Sequence, residues 1–156
     1  MKRGAVAGIV AAAAWAGAEP LLRRAVRTPY SDIRLLGRGI THGRLWPPIG
    51  LAVHLANGAV FGAAFERAGG RGWKQGLLAA QLENVVLWPG MAIVDRLHPD
   101  RKNGAWPPLV ANGRVFLYEV TVHALFGVVL GALLRDEHHP YEREPCPVRP
   151  RSEKEA

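Results

Sequence analysis

The chain holds one cysteine, Cys146, in 156 residues, which excludes a disulfide framework and a thiolate metal cluster. Hydroxyl nucleophiles are just as scarce where they would matter. Thr121 is the one Ser or Thr within the long apolar runs, and nothing in the sequence pairs it with a base. No Gly-x-Ser-x-Gly, phosphate loop, Cys-x-x-Cys or His-Glu-x-x-His occurs, so the usual signatures of acyl transfer, nucleotide binding and zinc hydrolysis are missing. No catalytic residue is assigned, and a non-enzymatic protein is expected. Lys and Arg are absent from four stretches, 4–22, 49–65, 76–94 and 115–134. The 20 Lys and Arg outnumber the 13 Asp and Glu to give a net charge of +7, with the cations gathered at the ends of those stretches. Cations spread in that way do not make the basic stripe that a nucleic acid needs, so no nucleic-acid partner is expected.

What the chain does have is apolar length. Of its residues 49% are hydrophobic, yet the mean hydropathy is only +0.01 because charge sits between the apolar runs. Each run is close to the roughly 20 residues that a helix needs to cross a bilayer. The expectation is an all-α integral membrane bundle of four transmembrane helices, at about 4–22, 49–66, 75–94 and 115–134. These form one domain over residues 1–135, placed in the cell membrane with the lipid bilayer as its main partner. A proline-rich tail of mixed charge, 136–156, is expected to be disordered. Met1-Lys2-Arg3, the run after it and Ala16-Gly17-Ala18 also resemble a secretory signal. Because apolar character resumes at Leu21-Leu22, a retained first helix is the preferred reading. The Lys and Arg residues divide evenly between the two sides of such a bundle, so the positive-inside rule selects no orientation.

The first connection carries six arginines between Arg23 and Arg44 against a single acid, Asp32. Thr28-Pro29 reads as an N-cap followed by proline at the first helical position. Ile33, Leu36 and Ile40 then lie on one side, with Arg34 and Arg38 on another. This pattern predicts a short interfacial helix in a basic loop facing anionic lipid head groups.

The candidate functional residues are polar groups inside the apolar runs. Glu119, His123, Gly127 and Gly131 recur every fourth residue and share one helix face. Gly50, His54, Gly58, Gly62 and Glu66 do the same on the second run, with Asn57 on the neighbouring stripe. Glu83 and Asn84 lie mid-run on the third, just before Pro89 breaks its backbone ladder. At about 1.5 Å per residue, His123 and Glu83 fall within a few ångströms of the midplane, and His54 and Glu119 within roughly 10 Å of it. Ionisable groups at that depth must face protein, and Gly58, Gly62, Gly127 and Gly131 supply small-residue seams for close helix packing. The two four-spaced faces are therefore expected to meet each other, with Glu83 as a third contributor.

Four purposes remain open for the cluster His54, Asn57, Glu83, Asn84, Glu119 and His123. It can fix the bundle or bind a ligand. It can form a path for a proton, ion or small solute. His54, Glu83, Glu119 and His123 are weak candidates for a metal or haem site, since no Glu-x-x-His spacing is present. Glu119 and His123 could also act on a lipid as acid and base. No metal or cofactor is assigned, and a homo-oligomer is compatible with the seams. Matching segments around His54 to Ala63 and His123 to Ala132 suggest an internal repeat, although Ala56-Asn57-Gly58 also matches Ala111-Asn112-Gly113 in a conflicting register.

Thr28-Pro29-x-x-Asp32 leading to Leu35-Leu36-Gly37, His54-x-x-Asn57-Gly58-x-x-Phe61-Gly62, Val94-Asp95-Arg96-x-His98-Pro99 and His123-x-x-Phe126-Gly127-x-x-Leu130-Gly131 together resemble a group of small multi-pass bacterial membrane proteins of uncharacterised activity. The resemblance spans about residues 4–135. It implies a four-helix membrane fold and carries no chemistry with it.

Overall fold

The computed structural model describes residues 2–135, and the expected disordered tail lies outside that range. Within it the order is α1 (Lys2–Val26), α2 (Asp32–Ile40), α3 (Trp46–Arg67), α4 (Gly72–Leu87), a 3-10 turn (Trp88–Gly90), α5 (Met91–Leu97), α6 (Pro99–Lys102) and α7 (Gly113–Leu133), with no strand among the described residues. Four spans are long and apolar enough to cross a membrane: Lys2–Val26, Trp46–Arg67, Gly72–Leu97 and Gly113–Leu133. The protein is an all-α membrane bundle. Large apolar side chains such as Val60, Leu78, Leu82, Val86 and Ile93 are 61–71% exposed along the spans. In a water-soluble bundle those faces would be covered, whereas a bilayer leaves them in contact with lipid tails.

Glycine decides which helices pair. Gly4 and Gly8 of α1 lie against Gly62 and Gly58 of α3, and Gly76 of α4 lies against Gly127 and Gly131 of α7, whose other neighbour is the Gly72–Trp73 backbone. A Cβ on Gly8 would stand 2.7 Å from the carbonyl carbon of Gly58, and one on Gly127 would stand 2.8 Å from that of Gly76. These separations admit hydrogen alone, so backbones meet directly, as small-residue seams allow. The expected meeting of the α3 and α7 glycine faces is therefore corrected. Each takes a different partner, because α1 and α4 carry small-residue ladders of their own and one seam can accept only one backbone. Helix α7 packs on both α4 and α1, while α3 and α4 are not closely packed on one another.

The connections are more ordered than basic linkers. α1 runs through Pro20 to Val26 and closes with a left-handed Arg27 (φ 55°), where Thr28 N–H bonds Arg23 O at 3.0 Å and Arg27 N–H bonds Arg24 O at 3.3 Å. That is a Schellman closure with arginine in the place glycine usually takes. The short helix in the first loop is present, but its cap is Ser31, whose Oγ accepts from Arg34 N–H at 3.1 Å. The Thr28-Pro29 start is thus displaced by three residues, and Gly37 lies inside the helix, pressed on Trp46 and Gly50 of α3. The charged segment 98–104 buries Asp100, 1% exposed. It receives Nε and Nη2 of Arg34, each at 2.8 Å. This bidentate pair ties α2 to α6. Asp95 organises the next segment, taking Leu109 N–H at 2.9 Å and Arg101 Nε at 2.7 Å.

The seams predict a sharp contrast among glycines. Gly8→Ala and Gly127→Ala should each destabilise the detergent-solubilised protein by about 1–3 kcal/mol. Gly17→Ala, whose Cβ meets nothing within 4 Å, should be neutral or stabilise by up to about 1 kcal/mol. Thermal denaturation of the three variants checks this, and equal losses at all three would rule out the seam account.

Candidate functional site

All six polar candidates from the sequence, His54, Asn57, Glu83, Asn84, Glu119 and His123, line one cavity of about 200 Å³. They differ in what holds them. His54 is buried and donates Nε2–H to Ala12 O at 3.1 Å, linking α3 to α1. His123 donates Nδ1–H to Glu119 O at 2.8 Å, four residues back on its own helix. Its Nδ1 also lies 3.4 Å from Glu119 Oε2, and its Nε2 lies 4.0 Å from Glu83 Oε2. Asn84 is 3% exposed, and among the described residues its Nδ2 has no hydrogen-bond partner. Asn57 is exposed on the α3 side of the cavity mouth. Gln81, polar but outside the cavity, donates to Val120 O at 2.7 Å and pins α4 to α7.

Trp15 stands at the centre. Its ring meets His54 edge-on at 5.0 Å, His123 at 4.6 Å and Phe126 at 6.2 Å between centroids. The polar halves of the α3 and α7 faces therefore come together across α1, although their glycine halves do not. Trp15 is 7% exposed, and its Nε1–H, like Asn84 Nδ2, is unpartnered among the described residues. Nothing in the sequence separated this Trp from an interfacial anchor.

The first loop supplies the acid that the sequence reading left out. Asp32, at the first turn of α2, is buried beside Glu119, with the two carboxyls in hydrogen-bonding reach of each other. Tyr30 donates its hydroxyl to Asp32 Oδ1 at 2.9 Å. One residue earlier, Ser31 donates to Glu19, itself 5% exposed and 3.8 Å from Arg23 Nη1. The loop's single acid, set in Thr28-Pro-x-x-Asp32, was the available signal. Charge counting hid it, because one carboxylate among six arginines reads as solvated. Desolvation, then the charge of Glu119, pushes the Asp32 carboxyl up from 3.8 to about 7. Burial lowers His98, whose ring stacks on Trp106 at 4.6 Å and donates Nε2–H to Leu35 O.

Two neighbouring carboxyls disfavour each other's charge, because like charges repel strongly away from water. The arrangement can therefore hold and release a proton and can present acceptors to a ligand. Among the described residues no three His, Cys, Asp or Glu side chains converge as metal ligands. Of the four weak metal candidates, Glu83 and Glu119 both flank His123, while His54 is engaged on Ala12.

Because folded Asp32 keeps its proton to about pH 7 while the unfolded chain releases it near 3.8, the unfolded state binds fewer protons across that interval. Stability should then fall as pH rises from about 4 to about 7, by up to about 1.4 kcal/mol per unit from this group. The groups facing it are Glu119, Tyr30, Tyr118, Glu19 and His123. Asp32→Asn should flatten that part of the profile in pH-dependent thermal denaturation, and an unchanged slope would show that Asp32 is not the group responsible. No family model, curated protein or solved structure matches this chain.

Proposed function

We propose that this multi-pass membrane protein is a non-enzymatic binding module of the cell membrane, built around the cavity between α1, α3, α4 and α7. The observation that carries the reading is a cavity of about 200 Å³ that all six polar residues line, with two unpartnered donors, Trp15 Nε1 and Asn84 Nδ2, buried on residues of its wall. A cluster that served packing alone would pair such donors internally, because a buried unpaired donor costs about 1–3 kcal/mol. A cavity that admits a ligand keeps them for it. The exposed arginines of the first loop, Arg24, Arg27 and Arg44, suit anionic head groups at the bilayer surface. A second reading, movement of a proton or solute, is favoured by the titratable groups that follow one another from Glu19 near the first loop through Asp32, Glu119 and His123 to Glu83.

Accessibility separates binding from packing. With Cys146→Ser as background, Asn84→Cys in the intact protein should react with a small methanethiosulfonate reagent. Ala80→Cys, one turn earlier on α4 and 0% exposed, should be protected. Protection at both positions until the protein is denatured would overturn the binding reading in favour of a structural cluster.

A further inference from the structure

The cavity wall is one-sided in charge. Asp32, Glu83 and Glu119 line it with two imidazoles, His54 and His123, and no lysine or arginine does so among the described residues. An anionic ligand would meet three carboxyls with no lysine or arginine to answer it. A purely apolar one would leave the carboxyls and the two buried donors desolvated and unanswered. A cation answers the carboxyls, and an acceptor atom on the same molecule answers Trp15 Nε1 and Asn84 Nδ2. Aromatic rings complete the wall, which Trp15, Phe61, Trp88 and Phe126 line beside the carboxyls. Rings around a cation add attraction that is strongest for indole. About 200 Å³ falls below the roughly 300–1,000 Å³ of sites for drug-sized ligands, so the occupant is small.

The way in is lateral. α3 and α4 are the adjacent spans that do not pack closely. The mouth between them is marked by Asn57, exposed on α3, and by the Glu83 side chain, 36% exposed on α4. Both positions lie within membrane spans, so a compound reaching them through this gap arrives from the bilayer and needs an apolar body to be there.

Resting on the binding-module reading, we infer that the cavity takes a small organic ammonium compound with a hydrogen-bond acceptor and an apolar body, admitted from the bilayer between α3 and α4. A free amphiphilic amine and the head group of an aminolipid share that chemistry. Glu83, partly exposed at the mouth, meets the cation first, and Glu119 meets it inside.

The probe is 2-phenoxyethyl-trimethylammonium, with its uncharged carbon isostere 3,3-dimethylbutyl phenyl ether as control, added to the purified full-length chain. Saturable heat of binding is expected for the cation and not for the ether. The cation should also protect Asn84→Cys from the methanethiosulfonate reagent. Glu83→Gln, at a position exposed enough to tolerate the change, should weaken binding about tenfold or more. If the ether binds and protects equally, or Glu83→Gln changes nothing, the ammonium assignment fails while the cavity stands. If Asn84→Cys never reacts, the binding reading itself has failed first. Repeating the titration in phosphatidylglycerol vesicles with and without phosphatidylethanolamine identifies the source. Weaker binding with the aminolipid present marks its head group as the occupant, and equal binding marks a free amine, both upholding the ammonium site.

Discussion

The pairing of the four spans follows from two places where backbone touches backbone. Gly8 against Gly58 and Gly76 against Gly127 bring α1 to α3 and α4 to α7 at a separation no side chain permits. In a bilayer the apolar faces gain little from meeting each other, since lipid tails are as apolar as leucine. Close packing and internal polar contacts must then hold the helices together. The seams supply the first, and they fix the register in which the polar residues one and two turns away come level with each other.

That register explains the composition of the interior. Gly58 and Gly127 each lie four residues beyond a histidine, His54 and His123, so seating the glycines sets both imidazoles against Trp15. Glu119 is a further turn back and faces the start of α2. Asp32 can reach it because α2 is itself drawn against α3 by Gly37 on Gly50 and held from the other end by the Arg34 pair to Asp100. The carboxyl contact between Asp32 and Glu119 is therefore a product of backbone packing and of a loop-side ion pair, neither of which touches the cavity.

How much of this could be read from residues alone depends on how local the cause is. The four spans were legible because length and apolar content act within one segment, and the ends came within a few residues. Glu119, His123, His54 and Asn84 were legible as inward-facing polar residues because such a group in an apolar run is costly in lipid, whereas Asn57 is exposed and Glu83 partly so. The pairing of seams was not legible. Glycine at four-residue spacing says that a backbone approaches and not whose, and the ladders at Gly4, Gly8, Gly72 and Gly76 were equally good partners. Asp32 escaped for the related reason that its burial depends on α2 docking between distant parts of the chain, through Gly50 of α3 and Asp100 of α6. Trp106 escaped likewise. The two Trp-Pro-Pro segments look alike, yet the first opens α3, where proline suits the first turn. The second is non-helical, and it buries its Trp, 2% exposed, with Nε1–H on Pro29 O.

The two glycine-paired units, α1 with α3 and α4 with α7, are built alike, each with small residues on its first helix and a histidine and two glycines on its second. A bundle with full twofold likeness would match the close α1 and α7 contact with an equal one between α3 and α4. It does not, because the segments that follow the first helix of each unit differ. After α1 the chain makes the nine-residue α2, which packs along α3 and brings Asp32 inward. After α4 it makes a 3-10 turn at Pro89 and then α5, so the second unit has no counterpart to α2 lying on its paired helix. The side where the likeness breaks is the side where the cavity opens. Asn57 and Glu83 stand there because the packing that closes the opposite side is absent, so the gap is a consequence of how the two units differ and not a defect in either.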